Sequence, residues 1–516
     1  MQAQALETEN SFEEVEGTFH RLIERLKANE TRNLTHGEVE RVLHRDGLEL
    51  LRQMLQAHLD VRRTAERVRP VVGADGVERL HPRGSHRELE TVFGRVVVER
   101  LQYQAQGHAG RHPLDGELNL PPEMYSHEVQ RRVAREAAKS SFAEVVAVVG
   151  ETTGAAIPKR QAEAVTVRSA VDFEAFYETR SEDPAATGGS TELMVLTVDG
   201  KGVVMRAEDL REATRQAVAG RQPKLAKRLS PGEKRTAKRM ATVAAVYQLA
   251  RQVRHPEEIT GTLQQINPPP TPRPQDKRVW ASLVKPPEAV IEEVFAEAHG
   301  RDPDQVRQWV ALVDGNPTQL SLLQTHADRW RINLVIVLDL IHVIEYLWKA
   351  AYVFHPPSSE EAQRWVNHRL LKILRGQAGH VAAGMRRSAT LRRLPTAERN
   401  GVDLCARYLL NHSEFLRYDE YLAAGFPIAT GVIEGACRSL VKDRMDLTGA
   451  RWSLTGAEAV LQLRSLRASG DFDDYWRFHE QQEHMRNHKA HYAGGLVPPQ
   501  PQPGDTSQVA HLRLVK

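Results

Sequence analysis

The sequence predicts an α/β protein: a mixed sheet forms the core, a helical region precedes it, and an all-α segment interrupts it. Three observations support this. Phe12, Val15, Phe19, Leu22, Ile23 and Leu26 recur at the three- and four-residue steps of a helix, and the pattern runs from Ser11 to about Arg69. Between Leu193 and Leu338, short apolar runs of buried-strand character alternate with helical patterns. From 357 to about 425 the pattern is helical with basic turns such as RRSATLRRL.

Composition narrows the class. The 516 residues hold 41% hydrophobic and 27% charged residues, enough to build a core across about three domains. Lys+Arg 70 against Asp+Glu 67 gives +3, so a nucleic-acid site has to be a local patch and not a global field. Two cysteines, Cys405 and Cys437, exclude a disulfide framework and a zinc site built mainly from cysteine. The polar start, MQAQALETENSFEEVEG, does not read as a signal peptide, and no apolar run reaches a membrane-spanning length. The expectation is a cytoplasmic protein with no membrane partner.

The elements follow in order. Segment 1–185 is expected to be mainly helical, with a short hairpin around Val92, Val96, Val97, Val98, Leu101 and Tyr103. Residues 141–170 read as helix, Gly-containing turn, then a helix opened by Pro158 with Lys159 and Arg160 in its first turn. This is either a helix-turn-helix, whose second helix would enter a DNA major groove, or an ordinary helical hairpin. SEDPAATGGS (181–190) is a linker by composition.

The core is assigned to 190–355 and 428–480. Leu193–Val198, ending in Asp199-Gly200, and Val203–Met205 are expected to pair as a hairpin, with Met240–Leu249 as a third strand. From Lys201 to Arg239 there are 12 Lys or Arg against 4 Asp or Glu, including Lys224, Lys227, Arg228, Lys234 and Arg235, a stretch suited to phosphates. A Pro-rich loop (268–274) precedes a helix (Pro287–His299), a strand (Trp309–Val313) ending in Asp314-Gly315, and a helix (Thr318–Trp330). A strand (Asn333–Leu338) ending in Asp339 and a helix from Leu340 to about Val353 complete the series. The order β-β-β-α-β-α-β-α is that of a ribonuclease-H-like fold. Segment 356–427 is then a helical insertion, and 481–516, with its prolines at 498, 499, 501 and 503, a polar disordered tail.

Three carboxylates stand out. Asp199 and Asp314 end apolar strand runs, and Glu434 sits in a helical stretch, TGVIEGACRSLVKDR. Acids at the ends of neighbouring parallel strands converge and repel unless a cation lies between them, which suits Mg²⁺ or Mn²⁺, in a pair where phosphoryl transfer is the chemistry. Each also has a plainer reading: Asp-Gly as a turn, and Glu434–Arg438 as an i,i+4 pair. Asp339 and His342 share a helix face, either with Asp339 as an N-cap or with the pair bordering the acids and positioning DNA. His479, His484, His488 and His491 read as solvated residues of a polar tail.

At these residues the chain resembles bacterial insertion-sequence transposases of the DDE class, the ISKra group with its Mutator-like relatives. The matching stretches are HPLDGELNLPPEMYS, VDGKG, LVDGNPTQL, VLDLIHVIEYLWKAA, GVIEGACRSLVKDRMDLTGARWS and LRASGDFDDYW, over about 112 to 480. The resemblance implies Asp199, Asp314 and Glu434 as the catalytic, metal-binding triad and Asp339 and His342 as a C/D-x-x-H element. It also implies that the chain cuts element ends and joins 3′-hydroxyls to target DNA, acting as a homo-oligomer on double-stranded DNA. Relatives often carry a cysteine pair ahead of the PLD segment, and QYQAQGHAGRHPLD has none. The alternative is a non-catalytic DNA-binding protein, a repressor or remnant. A haloacid-dehalogenase-type phosphohydrolase is set aside because position 197, where the paired nucleophilic Asp would stand, is Thr.

Overall fold

The computed structural model describes residues 2–181, 192–219, 237–262, 272–429, 431–447 and 449–499. They form two units, Met1–Asp172 with Asp473–Lys516, and Phe173–Phe472.

In the first unit, a helix Gln2–Lys27 packs on a longer one, His36–Thr64, which opens with a reciprocal capping box between Thr35 and Glu38. A two-residue pair, β1 (Val71–Val72) with β2 (Glu78–Arg79), precedes a three-stranded antiparallel sheet: β3 (His81–Thr91), β4 (Gly94–Ala105) and β5 (His108–Arg111). The hairpin is much longer than its apolar residues suggest: burial alternates from Gly94 to Glu99, where Arg95 and Glu99 face out, and β3 opposite is largely polar. Leu59 of the long helix packs with Leu89, Val96 and Val98 of the hairpin.

Three short helices follow, His127–Ala137, Phe142–Thr152 and Lys159–Arg168. The first two are capped by the Ser126 and Ser141 side chains. Val129, Val133, Val145, Val149, Ile157 and Val165 close one core among them. The turn before the third helix is clamped by the hairpin tip: Gly154 N–H donates to Val92 C=O (2.9 Å) and Ala156 N–H to Glu90 Oε1 (3.0 Å). A Cβ on Gly154 would lie 2.4 Å from the Phe93 carbonyl oxygen, so only glycine fits.

The expected polar tail is packed at least to Tyr492. A helix runs Phe472–Asn487, and Tyr492 is buried and bridges to Gly73. His479 and His488 are buried, not solvated, and His484 and His488 contact the carbonyls of Gly116 and Leu120 at 2.8 and 2.7 Å. Burial holds His488 down to about 4. The tail residues 500–516 lie outside the described ones.

The second unit is built on a five-stranded mixed sheet in the order β10-β9-β6-β7-β8, from β6 (Glu192–Val204), β7 (Lys238–Ala250), β8 (Gln275–Ser282), β9 (Gln308–Val313) and β10 (Leu334–Leu338). β6 pairs antiparallel with β7 and parallel with β9, and β9 pairs parallel with β10. The expected order β-β-β-α-β-α-β-α is met only from the third strand on: short helices, Glu212–Ala219 and Pro256–Thr262, stand between the first three strands, and the strands themselves differ from those expected. The expected hairpin at Asp199-Gly200 is one continuous 13-residue strand. Neither Gly200 nor Gly202 takes the positive φ that a tight hairpin turn needs, and both pair in register with β7, at Thr242 and Met240. The strand lost there is replaced by β8, which follows the Pro-rich loop and has three exposed charged or amide residues before its buried part.

Helix Pro287–Arg301 buries Val290, Ile291, Val294 and Phe295 and packs against β6 and β7. Helix Pro317–Trp330 and helix Leu340–Ala351 follow β9 and β10. Segment 356–427 contains helices Glu360–Leu374, Ala378–Leu391, Asn400–Asn411 and Tyr418–Ala423. Among the described residues, no helix is long and apolar enough to cross a membrane.

Candidate active site

The parallel register of β6, β9 and β10 aligns three aspartates. Thr197 pairs with Leu312, and Val313 with Leu338. Carrying the first pairing on by two residues and the second by one places Asp199, Asp314 and Asp339 on one row across three neighbouring strands spaced ~4.8 Å apart. The Asp339 N–H donating to Val313 C=O at 2.9 Å continues the ladder to that row.

Asp199 and Asp314 meet little neutralising charge among the described residues. Asp199 Oδ1 accepts from the Gly200 N–H and Oδ2 from the Cys437 thiol at 3.1 Å. Asp314 Oδ1 accepts from the Asn316 N–H at 2.8 Å. Among the described residues, no Lys, Arg or His nitrogen lies within 4.0 Å of the Asp199, Asp314 or Glu434 carboxylate. Two residues before Asp199 on the same strand face, the Thr197 hydroxyl is buried with no hydrogen-bond partner among them.

Of the two Asp-Gly pairs, one is a turn. Gly315 has φ 89°, and a Cβ there would lie 3.3 Å from both the Tyr408 hydroxyl and His412 Nε2. Asp199-Gly200 is strand.

Glu434 is exposed on a short helix, Gly431–Ala436, that packs against β6 and β7 and runs directly into a π-helical stretch, Cys437–Lys442. π-helical turns are rare and gather at functional sites. Arg464 takes the carbonyls of Ser439 and Leu440 there. Cys437 is one helical turn after Glu434 and donates to Asp199, which ties the Glu434 helix to β6. Burial first, then Asp199, with a smaller push from Glu434, holds the Cys437 thiol far above its usual value, so it stays a donor. The alternative Glu434–Arg438 pair is absent: Arg438 lies 3.7 Å from Asp443.

The triad is not closed into one ion-sized group. The one set of three ligating residues whose atoms lie within 4.8 Å of one another, among the described residues, is Asp172, His479 and Glu483 in the first unit. In the second unit, Asp199 and Asp314 are neighbours on the row, and Glu434 approaches through Cys437.

Asp339 is both cap and row member. It is buried, and its Oδ1 accepts from the Ile341 N–H at 2.9 Å. His342 is half-buried, 3.8 Å from Glu345. Lys159 and Arg160 are exposed in the first turn of their helix. Lys224, Lys227, Arg228, Lys234 and Arg235 lie outside the described residues.

Sequence reasoning missed three tyrosines from the 356–427 helices. Tyr408 Oη donates to the Asp314 carbonyl (2.9 Å), Tyr418 Oη to Leu338 (2.9 Å) and Tyr421 Oη to Ile336 (3.2 Å). Tyr408 stacks on Tyr346 at 4.2 Å. Burial above all pushes the Tyr408 and Tyr418 phenols up, so they remain donors. Two of these hydroxyls take β10 carbonyls and the third the carbonyl of Asp314 itself. In the sequence they are indistinguishable from apolar positions of amphipathic helices.

No family model matches the chain, and no curated protein matches it. Among solved structures, the Drosophila P element transposase strand transfer complex is similar at 9% identity and a TM-score of 0.25, covering 70% of this chain and 82% of that one. At that TM-score the likeness carries no argument about fold or function.

Proposed function

We propose that the chain is a DDE-type DNA transposase with a ribonuclease-H-like core, cutting the ends of a mobile element and joining their 3′-hydroxyls to target DNA. The observation that carries this reading is the shared register row of Asp199 and Asp314, without cationic partners among the described residues, with the Glu434 helix tied to it by Cys437. The donor set fits a hard divalent cation: carboxylate oxygens, with a buried unpartnered hydroxyl beside them. Asp199, Asp314 and Glu434 would hold Mg²⁺ or Mn²⁺, two ions by charge. Bound there, the ions supply a more acidic water and stabilisation of the leaving oxygen.

The protein's own groups do the rest. Cys437 keeps a proton on Sγ and orients one Asp199 oxygen. Tyr408 fixes the Asp314 backbone. Asp339 stiffens the start of its helix, leaving the His342 imidazole to meet DNA. Lys159 and Arg160 present donors at the front of a helix whose turn is clamped rigidly, the arrangement a groove-reading helix needs. The basic stretch from Lys224 to Arg235 adds sequence-independent phosphate contacts. Two copies on a pair of element ends make a homo-oligomer the working form.

The experiment is metal-dependent cutting of end-containing duplex by the full chain. Cutting in Mg²⁺ or Mn²⁺, lost with chelator and in Asp199→Ala, supports the reading. A covalent protein–DNA intermediate through Ser or Tyr overturns it. The second reading, a non-catalytic DNA-binding protein, is favoured by the open spacing of the three acids. Specific end binding with no nicking in either metal would establish it.

A further inference from the structure

Between Arg364 and Arg399 the chain carries nine Lys or Arg and one acid, Glu398. Four of the cations are paired: Arg364 with Glu361, Arg375 with Glu257, and Arg386 and Arg399 with Asp403. The other five, Arg369, Lys372, Arg387, Arg392 and Arg393, have no acidic partner within 4.0 Å among the described residues.

Two of them are joined through aromatic rings. The Arg369 guanidinium lies 3.6 Å from the Trp365 ring centroid, the Trp365 and Phe354 rings are 5.6 Å apart, and Arg392 lies 4.9 Å from the Phe354 centroid. Guanidinium faces thus rest on aromatic rings while one N–H of each holds a backbone carbonyl, Arg369 that of Trp365 at 3.2 Å and Arg392 that of Phe354 at 3.4 Å, and the remaining N–H groups can donate elsewhere. The like charges are felt. Burial first, then Arg392, pushes Arg369 down to about 10, and burial, Lys372 and Arg369 lower the neighbouring His368. Such crowding opposes folding unless the surface serves a polyanion.

Position relates the face to the acidic row. Phe354 lies just past the helix Leu340–Ala351, whose cap is Asp339 on the acidic row. That helix has 12 residues and spans about 18 Å. At 3.4 Å per base pair this is the length of about five base pairs.

We propose that Phe354, Trp365, Arg369, Lys372, Arg392 and Arg393 form a second DNA-contact face, gripping the phosphate backbone of duplex DNA beside the acidic row. The choice of DNA as the polyanion rests on the transposase reading; the face itself does not.

The test is the salt dependence of binding, by fluorescence anisotropy, of the full chain to a labelled duplex of random sequence. The exposed double substitution Arg392→Gln/Arg393→Gln is expected to reduce the slope of log K against log salt by about two and weaken low-salt binding at least tenfold, with the melting temperature retained. Arg369→Gln should reduce the slope by about one. A slope changed by less than one in the double variant, or a loss confined to duplex RNA, overturns the proposal. Because the readout is binding, the two ideas fail separately. An inert wild type whose slope falls in the variant sinks only the transposase reading. A cutting wild type whose slope is unmoved sinks only this face.

Discussion

Two places in the molecule concentrate acidic side chains, and they are neutralised in opposite ways. In the first unit, Asp172 is buried between His479 Nδ1 (2.7 Å) and a two-pronged contact from Arg486 (3.1 and 2.9 Å), and Glu483 also takes Arg486. Burial alone would raise the Asp172 carboxyl, but these donors outweigh it and hold it below its ordinary value. In the second unit, Asp199 and Asp314 share a row with, among the described residues, only backbone N–H groups and a thiol as donors. The first group is closer to ion-sized and would be chosen on compactness alone. Its charge is already answered by an arginine, so it works as a structural strut. The row leaves its charge for something else to meet. Counter-charge, more than proximity, separates the two.

Glu66 shows a third solution. It is buried, accepts from the Leu101 N–H at 2.9 Å, and has Arg63 only at 4.0 Å, so burial raises its carboxyl to about 7. Here burial outweighs a distant arginine, and the carboxyl holds its proton well above the ordinary carboxylate range.

The contrast can be broken most sharply at the row. Asp199→Ala, Asp314→Ala or Glu434→Ala should each cost about 4 kcal/mol of transition-state stabilisation, roughly a thousandfold in cutting rate, with DNA affinity retained. Near-normal cutting in Mg²⁺ by any of them would remove that residue from the triad. In the strut, Asp172→Ala takes the acceptor from the buried His479 and leaves Arg486 with Glu483 alone, and should destabilise the fold by about 3 kcal/mol. Thermal melting checks this, and a melting temperature unchanged by the substitution would contradict the structural role.

The acids also predict opposite pH responses. The lowered Asp172 carboxyl contributes stability above the ordinary carboxylate range, lost as pH falls through it. The raised Glu66 carboxyl contributes stability below that range, lost as pH rises towards 7. Glu66→Gln should therefore stabilise by about 2 kcal/mol more at pH 8 than at pH 5, read from denaturant midpoints. Equal midpoint shifts at both pH values would show that Glu66 is not protonated in the fold. Smallest is Tyr408→Phe, which deletes one hydrogen bond to the Asp314 carbonyl. It should cost about 1 kcal/mol, a roughly fivefold slower cut with more relief by Mn²⁺ than the wild type shows. A lowered melting temperature with the metal preference unmoved would make Tyr408 a packing residue only.

The sequence by itself determined the kind and order of the elements from Pro287 to Ala351. Apolar runs at Trp309–Val313 and Asn333–Leu338, the helices expected at Pro287–His299 and Thr318–Trp330, and the cap at Asp339 are local signals, and each stands within a residue or two of its expected place. It also supplied the candidate acids, since an Asp after a buried run is conspicuous wherever the strand goes. Tertiary pairing decided the rest. Asp199-Gly200 has turn composition, but β7 lies alongside all of β6 and its ladder outweighs the local preference. β8 escaped notice because its first residues are polar and become strand by pairing with β7. The tail histidines are buried by contacts to Gly116, Leu120 and Asp172, hundreds of residues away in sequence. The row of Asp199, Asp314 and Asp339, the thiol on Asp199 and the tyrosine hydroxyls on β9 and β10 are all products of register and packing. Periodicity along a chain reports which face a residue takes, whereas the neighbour across a ladder is fixed only when the strands meet.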